Sequence, residues 1–211
     1  MKVLAFLEQR DGALKSSCKE LLSTAYKIAG GNAADVAGVV VGSGVSGKVG
    51  ELKGFGADVI YAADQEQFKL YNVMAYTDAV EKAIDEFKPD VVLGVASPMG
   101  RDLFPRLAAR KQAGLLTDLV ELNLDGGFHG GTKPMYAGKV LAEVSYVGEG
   151  LKLATIRPNV FPAEESAGAA ESKALATETA GSDSLQTLEI RKGKSDKPDL
   201  TEAGRIISGG R

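Results

Sequence analysis

Up to Gly114 the chain alternates short apolar runs with longer stretches whose apolar residues recur at helical spacing. Lys2 to Leu7 predicts a first strand. Cys18, Leu21, Leu22, Ala25, Ile28 and Ala29 then share one helical face, opened by Ser17-Cys18-Lys19-Glu20 at capping-box spacing and stopped by Gly30-Gly31. Asp35 to Val41 is nearly all apolar and predicts a second strand covered on both faces. A glycine-rich turn and short helix, Gly42 to Gly54, lead to a third strand, Asp58 to Ala63. Val73, Tyr76, Val80, Ala83, Ile84 and Phe87 form the stripe of a second helix, which Pro89 ends. Asp90 to Ala96 predicts a fourth strand, followed by a polar loop, Ser97 to Asp102, and a basic amphipathic helix reaching to Gly114. Ser97 with Pro98 suits the start of that helix, and Pro105 is expected to bend it. Repeated strand–helix units of this kind build a parallel sheet.

After Gly114 the texture changes. Thr117 to Leu124 alternates as a strand, and Lys139 to Val147 and Leu151 to Arg157 follow as two more, split by Gly148-Glu149-Gly150. So short a link predicts that the last two pair antiparallel, because a parallel crossover needs a dozen residues or more. Ala163 to Ser184 is rich in Ala, Glu, Ser, Thr and Gly with few large apolar side chains and reads as a solvated linker. Leu185 to Ile190 predicts one late strand, Lys192 to Lys197 is charged, and Ile206-Ile207 reads as a strand feeding the turn Ser208-Gly209-Gly210-Arg211. The expected fold is α/β, a three-layer parallel sheet with added antiparallel strands. It occupies 1–162, with a linker over 163–205 and the start of something further at 206–211.

Composition narrows the function. With 25 Lys+Arg against 28 Asp+Glu, net −3, the 211-residue chain has no basic field of the kind nucleic acid requires. A single cysteine, Cys18, rules out an intrachain disulfide framework, and a single histidine, His129, removes His-pair metal sites. No run approaches the roughly 20 apolar residues of a membrane span. The chain opens directly on a strand pattern with no visible targeting segment. A cytoplasmic protein without membrane insertion is expected.

Four features invite chemistry. Gly42-Ser43-Gly44-Val45-Ser46-Gly47 matches the dinucleotide fingerprint, follows a strand, and has Asp64 about 20 residues on. Against it, Lys53-Gly54-Phe55-Gly56 cuts the following helix short, so a plain glycine turn competes with a nucleotide site. His129, in a glycine-rich turn, reads as a surface histidine, and Cys18 on an apolar face reads as an inert buried thiol. Arg101, Arg106, Arg110 and Lys111 could clasp phosphate, or form a positive face for packing and partner contact. The Ser97 to Asp102 loop also stands where open α/β sheets bind ligands. No catalytic residue or metal ligand set emerges.

An ordered set of segments carries a resemblance. Ser97-Pro98-Met99-Gly100-Arg101-Asp102-Leu103-Phe104-Pro105-Arg106-Leu107-Ala108-Ala109-Arg110 is followed by Thr117-Asp118, Tyr136-Ala137-Gly138, Ile156-Arg157-Pro158, Pro198-Asp199-Leu200-Thr201 and Ser208-Gly209-Gly210-Arg211. Together they resemble the electron transfer flavoprotein alpha subunit family. That resemblance implies a nucleotide alpha-hydrolase-like (Rossmann-like) domain. It also implies an electron transfer flavoprotein beta subunit as partner and electron carriage through FAD rather than catalysis. Electrons would pass from dehydrogenases, such as acyl-CoA dehydrogenases, to a quinone oxidoreductase. It gives Arg211 a contact to FAD and makes 206–211 the opening of the FAD-binding domain. The chain is therefore expected not to hold FAD tightly alone. The other reading is a free-standing nucleotide- or dinucleotide-binding module using the Gly42-Gly47 loop.

Overall fold

The computed structural model describes residues 1–177, 185–191, 203 and 205–210. Strand β1 (Val3–Leu7) leads through a small hairpin, β2 (Gln9–Arg10) and β3 (Ala13–Leu14), into helix α1 (Ser17–Ile28). Strands β4 (Val36–Gly42) and β5 (Val59–Asp64) follow, then helix α2 (Val73–Phe87), β6 (Val91–Val95) and helix α3 (Pro98–Lys111). The second half supplies β7 (Gly114–Leu119), β8 (Glu121–Asn123), β9 (Gly130–Met135), β10 (Val140–Ser145), β11 (Lys152–Ile156) and β12 (Glu171–Ala174).

Seven strands form one all-parallel sheet in the order β12-β5-β4-β1-β6-β11-β7. The α/β three-layer expectation therefore holds. Because side chains alternate across a strand, Val3, Ala5 and Leu7 enter one core while Leu4 and Phe6 enter the other. The first core lies under α1, and the second under α2 and α3. Two glycines make room for this packing: a Cβ on Gly94 would sit 2.3 Å from the Phe104 ring, and one on Gly38 would sit 2.6 Å from Ile60 and Leu7.

Helix boundaries obey local chemistry. The Asn72 side chain accepts from the amides of Met74 and Ala75 at 2.9 and 3.3 Å to open α2. Ser97 accepts from Gly100 at 3.0 Å to open α3, with Pro98 in the first turn. The capping box at Ser17 does not form. Ser16 precedes α1 in an αR conformation with no side-chain cap, and Glu20 instead accepts from the Asn159 amide at 2.9 Å. The chain enters α1 already turning, so the serine oxygen does not reach a helical amide. Helix α3 runs through Pro105 as one element; that residue is on the exposed side, where water can serve the carbonyl it leaves unpaired.

The second half departs from the sequence pattern in four places. The run Thr117 to Leu124 is two strands: β7 at the edge of the parallel sheet and β8 in a separate antiparallel sheet of order β10-β9-β8. Strands β10 and β11 are not partners, because β11 threads in parallel between β6 and β7 while β10 pairs with β9. The short link carries the chain from one sheet to the other. The stretch read as a solvated linker contributes β12, which pairs with β5 through backbone groups that need no apolar side chains, and buries Ala170 and Leu175 beside it. Residues 185–190 and 206–207 form no strand, and Ile207 is fully exposed.

Candidate functional site

Two ligand-suited regions lie at the carboxyl edge of the parallel sheet, and they differ in chemistry. In the Gly42-Gly47 loop the amides of Gly44 and Ser46 donate to Asp64 at 2.6 and 2.9 Å. Partial burial raises the Asp64 pKa, but hydrogen bonds from Ser46, Gly44 and Val45 carry it below its ordinary value. Ser43 donates to Glu66 at 2.9 Å. The loop runs into a 3-10 segment, Ser46–Leu52, so no α-helix N-terminus faces it. The acid that the fingerprint would assign to a ribose instead occupies the amides that would cradle a phosphate.

The second region is the point where strand order reverses, between β1 and β6. The chain goes one way through β4 and β5 and the other way through β6, opening a crevice between the first turns of α1 and α3. A cleft of about 350 Å³ lies there, lined by Glu8, Arg10, Lys15, Ser16, Ser17, Ser97, Pro98, Arg101, Asp118 and Arg157 among others. Glu8 is 2% exposed. Burial pushes its carboxyl above the ordinary 4.5, against the pull of a hydrogen bond from Ser97 and the nearby Lys15. Lys15 Nζ stands 3.6 Å from the Glu8 carboxylate. On the far wall Arg157 donates to both Asp118 oxygens, at 3.0 and 2.7 Å, and this holds the Asp118 pKa down despite its partial burial.

The four basic residues of α3 separate. Arg110 bonds Glu81 at 2.7 Å and also Asp78, Lys111 bonds Asp85 at 2.8 Å, and Arg106 reaches the Met74 sulfur at 3.0 Å. These three bind α3 to α2. Arg101 alone of the four lines the cleft. Cys18 is buried, with its thiol pushed up to about 12 chiefly by burial, and His129 is exposed in the β8–β9 turn; both lie where the sequence pattern put them. The sequence pattern missed Glu8, Arg10 and Lys15, since a strand end and a hairpin carry no motif.

A third feature stands apart from both regions. The β9–β10 hairpin turns through Tyr136 and Ala137, both in the left-handed region at φ 50 and 56. Such turns favour Asn and Gly, so this one is strained. It presents Tyr136 at 73% exposure, with Leu141 at 66% and Met135 at 40% nearby. The flap is anchored from below by the buried Phe128, whose ring meets Tyr146 edge-on at 5.8 Å.

Arg211, the residue expected to contact FAD, lies outside the described residues. The switch-point cleft, at about 350 Å³, is near the lower end for drug-sized ligands, and FAD is larger than those. Residues 205–210 contribute nothing to its lining. Among the described residues no helix is long and apolar enough to cross a membrane.

Comparison with known proteins places this architecture. The chain is 39% identical to the electron transfer flavoprotein subunit alpha of Syntrophomonas wolfei, over 98% of its own length and 64% of that relative. It is 34% identical to the electron transfer flavoprotein subunit alpha of Bacillus subtilis, over 100% of its length and 64% of that relative. A third similarity, 37% over 58% of the chain and 34% of the relative, is to the acryloyl-CoA reductase electron transfer subunit beta of Anaerotignum propionicum. The chain thus spans about two thirds of the length of the two alpha-subunit relatives. The sequence model of the electron transfer flavoprotein domain matches residues 3–183, and the chain belongs to that family.

Proposed function

We propose that this chain is the N-terminal portion of an electron transfer flavoprotein alpha subunit. In this role it is a structural and partner-binding domain of an electron carrier, without a catalytic centre of its own. With a beta subunit the assembly would take electrons from dehydrogenases and pass them through FAD to a quinone oxidoreductase, in the cytoplasm. The family match and the similarity to subunits named for electron transfer support this reading.

The observation that carries the partner role is the β9–β10 hairpin. Tyrosine and methionine are enriched at protein interfaces, and here a strained turn holds Tyr136 and its apolar neighbours in water. Strain retained at an exposed position points to use rather than to stability. FAD falls to residues outside those described, with Arg211 as the proposed contact.

Co-expression with a beta-type subunit tests the reading. A stable complex is expected, and Tyr136→Asp combined with Leu141→Asp should abolish it while leaving the melting temperature of the isolated chain unchanged. Absence of any complex would refute the partner role. Isolated chain carrying stoichiometric flavin, seen as absorbance in the visible, would refute the placement of FAD.

A further inference from the structure

The partner reading makes no use of the switch-point cleft. We propose that this cleft binds a phosphomonoester, with the phosphate held between Arg101 and the opening turns of α1 and α3. The lining carries four cationic side chains, Arg10, Lys15, Arg101 and Arg157, against two carboxyl groups, Glu8 and Asp118. Arg157 and Asp118 consume one another in a bidentate pair. The Arg101 guanidinium acts on Asp118 only through space, and the side chain makes no hydrogen bond or ion pair to a described residue. The hydroxyls of Ser16 and Ser17 likewise have no partner among the described residues, and Ser16 caps nothing.

This donor set suits phosphate better than carboxylate. A guanidinium fork, an ammonium group and two hydroxyls exceed what two carboxylate oxygens can accept, whereas a phosphomonoester offers three terminal oxygens and close to two charges. The floor is built rather than incidental. Ser97, 9% exposed, ties the start of α3 to the buried Glu8, and a Cβ on Gly100 would lie 1.9 Å from the Val95 carbonyl oxygen. The cleft adjoins a second one of about 320 Å³ that shares Glu8, Arg10, Lys15, Ser97 and Pro98 and is walled by Tyr71, Tyr76 and Met99. That neighbour gives room for the organic group.

Calorimetric titration of the 211-residue chain with inorganic phosphate, ribose 5-phosphate, AMP and adenosine tests the proposal. The phosphorylated probes should bind saturably and adenosine should not. Binding should weaken as salt rises. Arg101→Ala should weaken it about tenfold or more, the loss of one charge-assisted contact. Arg101 is exposed, so the variant should melt as the parent does; Arg101→Lys should recover part of the affinity. Gly44→Ala, in the other loop, should leave it unchanged. The proposal falls if no phosphorylated probe saturates, if adenosine binds as well as AMP, or if Arg101→Ala binds like the parent. It also falls if Arg101→Ala loses a beta subunit while phosphate binding was never present, which would make the cleft a partner contact.

Discussion

Two loops at the same edge of one sheet, Gly42-Gly47 and the switch-point pair around Ser16 and Ser97, look alike in topology and opposite in chemistry. The first has the glycine motif but spends its amides on Asp64. The second has no motif, yet gathers cations and open hydroxyls from four separate segments. A binding site consists of unsatisfied donors held in place, and glycine spacing supplies room for backbone approach without leaving those donors free.

Substitution can break this contrast. The largest effect is expected at Gly100, outside any motif: a Cβ there meets the Val95 backbone oxygen, so Gly100→Ala should cost about 3 kcal/mol in urea unfolding. Asp64→Ala should cost about 1–2 kcal/mol, because two loop amides lose a charged acceptor. The Asp64 pKa is depressed in the fold, so its contribution is present above the ordinary 3.8 and lost as pH falls through the folded value. The variant should therefore show a shallower acid limb.

Smaller effects sharpen the comparison. Gly44 has φ +74 and nothing within 4 Å of an added Cβ, so Gly44→Ala should cost only about 1 kcal/mol of left-handed strain. The smallest change at neutral pH is expected for Glu8→Gln, which keeps an acceptor for Ser97. Glu8 has a raised folded pKa, so the native state holds its proton more tightly and stability falls as pH rises from about 4.5 through the folded value. Denaturant midpoints followed across that range should lose this slope in the variant. A parent without the slope would mean that the Glu8 pKa is not raised in the fold.

The parallel half of the fold was legible because buried strands announce themselves as apolar runs and helices as 3.6-residue stripes. The four departures after Gly114 share a cause. Pairing depends on which backbone edge is open, and backbone groups are the same in every residue. Hence β12, made from Glu171, Ser172, Lys173 and Ala174, is invisible to any hydrophobic pattern, and β11 could not be seen to slip between β6 and β7. For the candidate site, Arg101 was visible as one of four basic residues on a helix. Its separation from Arg106, Arg110 and Lys111 required the position of α2.

By itself, the sequence determined the α/β class, the buried strands of the parallel half and the cap at Ser97, and its ordered segments carried the family resemblance. Local spacing and side-chain chemistry are enough for the class, the strands and the cap. Only the tertiary structure decided that Asp64 fills the glycine loop and that Glu8, Lys15, Arg101 and Asp118 meet across one cleft. Those residues come from strand ends far apart in the chain, and they are brought together by the order in which the strands lie in the sheet.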